Sequence, residues 1–88
     1  MPKSPEDKKR ALTRVRKIKG QCEALERAIE AGADCAPILQ QIAAVRGAVN
    51  GLMVEVMDSH IREEFVFPDD PGGKKTQELL HLVRNYLK

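Results

Sequence analysis

Apolar side chains in the first third of the chain fall at Ala11, Val15, Ile18, Cys22, Leu25 and Ile29. The intervals alternate between four and three, a heptad-type stripe along one side of a helix. Leu12 broadens it. Cys22 lies on the stripe, which assigns it to a packed face rather than to reactive chemistry. A start signal stands upstream in Ser4-Pro5-Glu6-Asp7. Ser4 suits the N-cap, Pro5 the first helical position, and Asp7 completes a capping-box-like pattern. The stop falls at Ala31-Gly32. A first helix over about 5–31 follows.

The second pattern starts at Asp34, a good N-cap, with Pro37 tolerated in the first turn. It runs without a breaker through Ile38, Leu39, Ile42, Val45, Val49, Leu52, Met53, Val56, Met57 and Ile61 to Phe65. A helix over about 35–65 is a rod of roughly 45 Å. One small chain cannot cover such a rod, so a second copy is expected to. Gly47 and Gly51 sit inside it, each costing ~1 kcal/mol against alanine. With Ala43, Ala44 and Ala48 they form a small-residue patch that invites another helix to approach. Phe67-Pro68-Asp69-Asp70-Pro71-Gly72-Gly73 reads as a loop. A short third helix over about 76–87 carries Leu79, Leu82, Val83 and Tyr86 on one side. The fold class is all-α, in one domain over residues 1–88 with no internal repeat.

Composition supports this. The chain is 42% hydrophobic but only 3% aromatic, which suits aliphatic helix packing. No apolar run reaches the ~18 residues that span a membrane. Two cysteines without an export signal suggest a cytoplasmic protein with reduced thiols. The net charge of +2 conceals an asymmetry. Residues 1–20 carry eight basic side chains against Glu6 and Asp7, while the remainder carries seven basic and eleven acidic ones. A basic segment on a mildly acidic body points to a polyanion partner. Arg10, Arg14 and Lys17 form one stripe of the first helix, flanked by Lys9 and Arg16. Alone, such a run is most often a solvated face.

His60 and Glu64, four apart in DSHIREEF, have the spacing of a metal half-site. Cys35 is the nearest complement in chemistry but lies 25 residues before His60, about 37 Å along a straight helix. An antiparallel pair of second helices from two subunits would bring Cys35 of one chain to His60 of the other. The midpoint falls at about 48–50, on the small-residue patch. Two-fold symmetry would give two equal sites per dimer.

LTRVRKIKGQ at 12–21 and CAPILQQIAAVRGAVNGLMVEVMDSHI at 35–61 resemble the CsoR/RcnR/FrmR family of bacterial repressors. The resemblance spans nearly the whole chain except the 67–75 loop. It implies an all-α subunit, an antiparallel dimer and a flat homotetramer of two dimers. It also implies binding to double-stranded operator DNA without a helix-turn-helix, with release when an inducer occupies a Cys–His centre between subunits. Copper and persulfide sensors of the family place a second cysteine where this chain has Glu64. Nickel and cobalt sensors place histidines where it has Lys3 and Glu64. The formaldehyde-sensing branch has Pro2, Cys35, His60 and Glu64, and all four stand here. MPKSPEDKK also resembles that branch's N-terminus. Arg14 and Lys17 match basic positions that the family uses on DNA.

The chemistry suits that branch. Removal of Met1 leaves Pro2 as a secondary amine, which condenses with formaldehyde to an electrophilic iminium ion rather than a neutral imine. A thiolate then closes an N–CH₂–S bridge. A thiol at a helix N-terminus, such as Cys35, has its thiolate favoured. His60 of the partner chain could take the thiol proton, and Glu64 could orient His60 or hold the Pro2 ammonium. The bridge would tie the start of helix one to the neighbour and move the basic stripe. Cysteine, histidine and glutamate also suit zinc or cobalt, so weak metal binding, or a zinc-, cobalt- or nickel-responsive repressor using Cys35, His60 and Glu64, is the alternative. A nonspecific DNA-compacting protein is the alternative of another class. Nothing in the sequence points to an enzyme, and no cofactor is required.

Overall fold

A computed structural model describes residues 4–64 and 73–86, with side chains up to Asn85. Pro2, Lys3, Phe65, the 67–72 part of the loop and the Tyr86 side chain lie outside the described residues. Three α-helices make up the fold: α1 (Pro5–Glu30), α2 (Cys35–Glu64) and α3 (Lys74–Tyr86). No strand occurs among the described residues, and the chain is all-α.

Helix α1 starts where local chemistry favours it. The Ser4 side chain accepts from the Asp7 N–H at 3.0 Å, and Pro5 fills a position whose N–H would have no intrahelical partner. It ends in a Schellman turn. Gly32 N–H donates to Ile29 C=O at 3.1 Å and Ala33 N–H to Ala28 C=O at 3.0 Å. This closure needs a left-handed residue, and Gly32 supplies φ 74°. The chain then reverses within a few residues into α2, and the two long helices pack as an antiparallel hairpin. Gly73, at φ 71°, offers its C=O to Gln77 N–H at 2.9 Å. That bond starts α3 at Lys74, two residues before the expected position.

The seam between α1 and α2 is rotated from the apolar stripe. Asp7, Ala11, Ile18, Gln21, Ala24, Leu25 and Ala28 are the buried or half-buried positions of α1. Val15 and Ile29 are 45% and 56% exposed, and Cys22 is exposed with them. Cys22 is therefore no core residue of the single chain, contrary to its place on the stripe. The stripe is wide enough to serve two neighbours, and α2 covers only one edge of it.

Helix α3 also departs from expectation. It packs through the buried Leu80 and the half-buried Thr76 and Val83, while Leu79 and Leu82 are exposed. Its apolar residues span more than one face, and contact with α2 selects the Leu80 edge. Within the chain, Gly51 of the small-residue patch is approached by a side chain of α1. It sits on the α1 side of α2, where a methyl group would lie 2.8 Å from a terminal nitrogen of Arg14. Gly47 has no neighbour within 4 Å.

Only Ile61 and Leu80 are buried hydrophobic residues among those described. The chain measures 58 × 26 × 13 Å, a flat rod rather than a sphere. Among the described residues the most buried is polar: Ser59 is 1% exposed. No described helix is long and apolar enough to cross a membrane.

Candidate functional site

Two surfaces of α2 emerge from its periodicity. At 100° per residue, Cys35 and His60 point within about 20° of each other, and Glu64 within about 20° on the other side. Leu39, Ile42, Arg46, Val49 and Met53 lie on this same line. All of them, with Cys35, His60 and Glu64, are exposed. The four apolar members are 64%, 46%, 40% and 45% accessible respectively. Cys35 opens the helix and Glu64 closes it. Cys35 and His60 are thus separated by about 37 Å of straight helix, and the structure does not bring them together within one chain. Among the described residues no cluster of three or more His, Cys, Asp or Glu could hold a metal ion.

The opposite face of the same helical end is a polar hub. Glu55, Asp58, Ser59 and Arg62 follow one another at helical spacing and turn toward α1 and α3. Ser59 Oγ donates to Asp7 at 3.3 Å. Arg62 reaches Asp7 at 3.7 Å and also pairs with Asp58, which in turn pairs with Arg84 of α3. Asp7 is 8% exposed. Burial pushes its carboxyl up, but the Arg62 charge, the Ser59 hydrogen bond, Arg10 and Ser4 together outweigh it. The group titrates below its ordinary value of 3.8. One short stretch of α2 therefore carries His60 on one side and the anchor of α1 on the other.

The basic stripe is attached to that hub. Arg10 pairs with Asp7 and with Glu55, the latter at 3.0 Å. Arg14 pairs with the other oxygen of Glu55. These arginines remain half exposed, at 56% and 49% of their side chains. Arg10, Arg14 and Lys17 fall within about 60° of one another along the edge of the α1–α2 seam. Arg16 is exposed but lies about 120° around α1 from Arg10, on the side of Lys9. A cleft of about 280 Å³ opens beside the stripe, lined by Arg10, Arg14 and Arg84 with Glu55 and Asp58. His81 of α3 is exposed and contacts Asn85 at 3.1 Å, apart from both surfaces.

The hub was not singled out from the sequence. Asp7 reads there as a capping residue, and Glu55, Asp58 and Ser59 carry no reading of their own. One signal was available: Glu55, Asp58, Ser59 and Arg62 recur at helical spacing as a polar stripe opposite His60.

An all-α hairpin with a basic edge on its first helix and a Cys–His line on its second matches a known class. The family described as metal-sensitive transcriptional repressors matches residues 7–85, and the chain belongs to this family, that of CsoR, RcnR and FrmR. It is a transcriptional repressor and not an enzyme. Among solved structures it resembles the formaldehyde-responsive regulator FrmR, E64H variant, from Salmonella enterica serovar Typhimurium. The TM-score is 0.70 and the identity 55%, over 97% of this chain and 99% of the other. A Serratia marcescens protein described only as uncharacterized, from the bioA 5' region, is 52% identical over 85 residues, 93% of each chain. The transcriptional repressor RcnR of Citrobacter koseri is 40% identical over 84 residues, again 93% of each.

Proposed function

We propose that this repressor responds to formaldehyde, which links the Pro2 amine of one subunit to Cys35 of a neighbour and so releases operator DNA. The observation that carries this reading is the shared line of Cys35, His60 and Glu64 along an exposed apolar face of α2. Two such faces laid antiparallel would bury Leu39, Ile42, Val49 and Met53 and set Cys35 beside the partner's His60. The likeness to a formaldehyde-responsive regulator supports the choice of inducer. The assembly follows as an antiparallel dimer, paired again into a homotetramer, in the cytoplasm.

The chemistry balances without an oxidant. The proline nitrogen attacks formaldehyde, and water leaves to give the iminium ion. The Cys35 thiolate adds to its carbon. Overall the amine and thiol each give up a proton, which depart with the formaldehyde oxygen as water, and one carbon is retained. His60 accepts the thiol proton, and Glu64 orients His60. Arg10, Arg14, Arg16 and Lys17 meet DNA, chiefly at phosphates, so affinity falls steeply with salt. With no recognition helix, DNA shape supplies much of the selectivity.

Treatment with formaldehyde followed by intact mass and peptide mapping tests the reading. The expected product gains one carbon per bridge, joining residue 2 to residue 35 of another chain. Cys35→Ala and Pro2→Ser should still bind operator but ignore formaldehyde. Release of DNA from either variant at the wild-type dose defeats the crosslink.

A second reading has the description of the matching family in its favour. The sulfur, nitrogen and oxygen donors of Cys35, His60 and Glu64 suit zinc, cobalt or nickel, again only across two chains. Operator release by one of these metals, without a bridge, would favour it.

A further inference from the structure

We infer that Glu55 is a positioning residue: it fixes Arg10 and Arg14 in the attitude in which they meet DNA, and thereby sets operator preference. This rests on the reading that the two arginines contact DNA. Glu55 lies near the middle of the polar face of α2, with its side chain only 16% exposed. One carboxylate oxygen takes Nε of Arg10 at 3.0 Å, and the other takes Nε of Arg14. Arg14, held through Nε, keeps its terminal amino groups for phosphate or base edges, while Arg10 also gives one terminal nitrogen to Asp7 and keeps the other. The plane and direction of each guanidinium are then set by the protein rather than by solvent.

Gly51 completes the arrangement from one turn upstream. Arg14 crosses α2 where Gly51 has no side chain, and a Cβ there would lie 2.8 Å from the Arg14 terminal nitrogen. An alanine must displace the guanidinium, which is the flexible end of the contact. Sequence pattern alone makes this glycine a cost to α2; its position under Arg14 gives it a purpose.

Electrostatics and positioning predict opposite signs. Removing the Glu55 charge makes the basic edge more positive, which strengthens nonspecific binding to any duplex. Selective binding depends on where the guanidinium groups lie relative to the groove and backbone. Loss of Glu55 should therefore raise affinity for random DNA and lower preference for the operator.

The test compares a duplex selected from a random pool by the wild-type protein with a random duplex of equal length, at one salt concentration. Glu55→Gln should lose at least about fivefold of the wild-type preference, the scale of one good polar base contact, while random-duplex affinity holds or rises. Gly51→Ala, which changes no charge and favours the helix, should lose preference in the same direction with an undiminished melting temperature. Equal tightening on both duplexes by Glu55→Gln would mean that Glu55 only masks charge, and overturns the inference. So does wild-type preference in a folded Gly51→Ala protein. Arg14→Ala separates the underlying reading: if it binds the selected duplex as wild type does, Arg14 is not on DNA and both readings fall. With Arg14→Ala impaired, unchanged preference in Glu55→Gln overturns this inference alone.

Discussion

The two faces of α2 are stabilised in opposite ways. On one, Glu55, Asp58, Ser59 and Arg62 close on α1 and α3 through ion pairs and hydrogen bonds, and Ser59 is the most buried side chain described. On the other, Leu39, Ile42, Val49 and Met53 stand in the open. The polar face is complete within one chain. The apolar face is left uncovered, and exposed aliphatic area carries a cost of roughly 25 cal/mol per Å² until it is covered. In the assembly proposed above, the open face would serve self-assembly, while the polar face orders the chain internally. His60, directly after the hub residue Ser59 in sequence, belongs to the open face.

The strongest way to break this division is a charge in the open face. Val49→Asp or Met53→Asp should reduce the assembly to monomers and abolish operator binding, because neither side chain has a role inside the chain. Sedimentation and circular dichroism check it; an unchanged oligomer would show that the face is not an interface. Next in size comes overfilling of the hub. Ser59→Leu has no space and should cost about 1–3 kcal/mol of stability, read by urea unfolding. A neutral outcome would mean that the hub is looser than its burial indicates.

Acid should weaken the hub more gently. The Asp7 carboxyl titrates below its ordinary 3.8 in the folded chain, so its contribution is fully present above that value. It is lost as pH falls through the lower folded value. The wild-type unfolding midpoint should therefore drop more between pH values of about 5 and 3 than that of Asp7→Asn. Parallel acid limbs would remove Asp7 as a stabilising charge. The smallest expected effect is that of Gly51→Ala on stability, a gain of up to ~1 kcal/mol from helix propensity. A destabilised Gly51→Ala protein would mean that Arg14 cannot yield, and that the hub reaches further along α2 than its ion pairs suggest.

Much of the candidate site was legible because helical spacing is rigid. Counting from Cys35 to His60 and Glu64 already forbids their meeting in one chain. The caps were equally readable, since Ser4, Pro5 and Gly32 act on the backbone within a few residues. Asp7 was harder. Its local pattern spelled a cap, yet its carboxylate is committed to Ser59, 52 residues away. Cys22 was misplaced for a related reason. A broad apolar stripe does not say which of its edges the neighbouring helix will take, and that edge passed to Ile18, Gln21 and Leu25 instead.

The sequence by itself determined three helices, the caps of α1, its basic edge and the line of Cys35, His60 and Glu64. These depend on periodicity and on contacts within a turn or two, which a linear pattern records directly. Only the tertiary structure decided that Glu55 would bind both Arg10 and Arg14, that Gly51 would lie beneath Arg14, and that Asp7 would join α1 to the end of α2. Those contacts depend on the rotation of one helix against another, which the hairpin turn and the packing of the seam fix together.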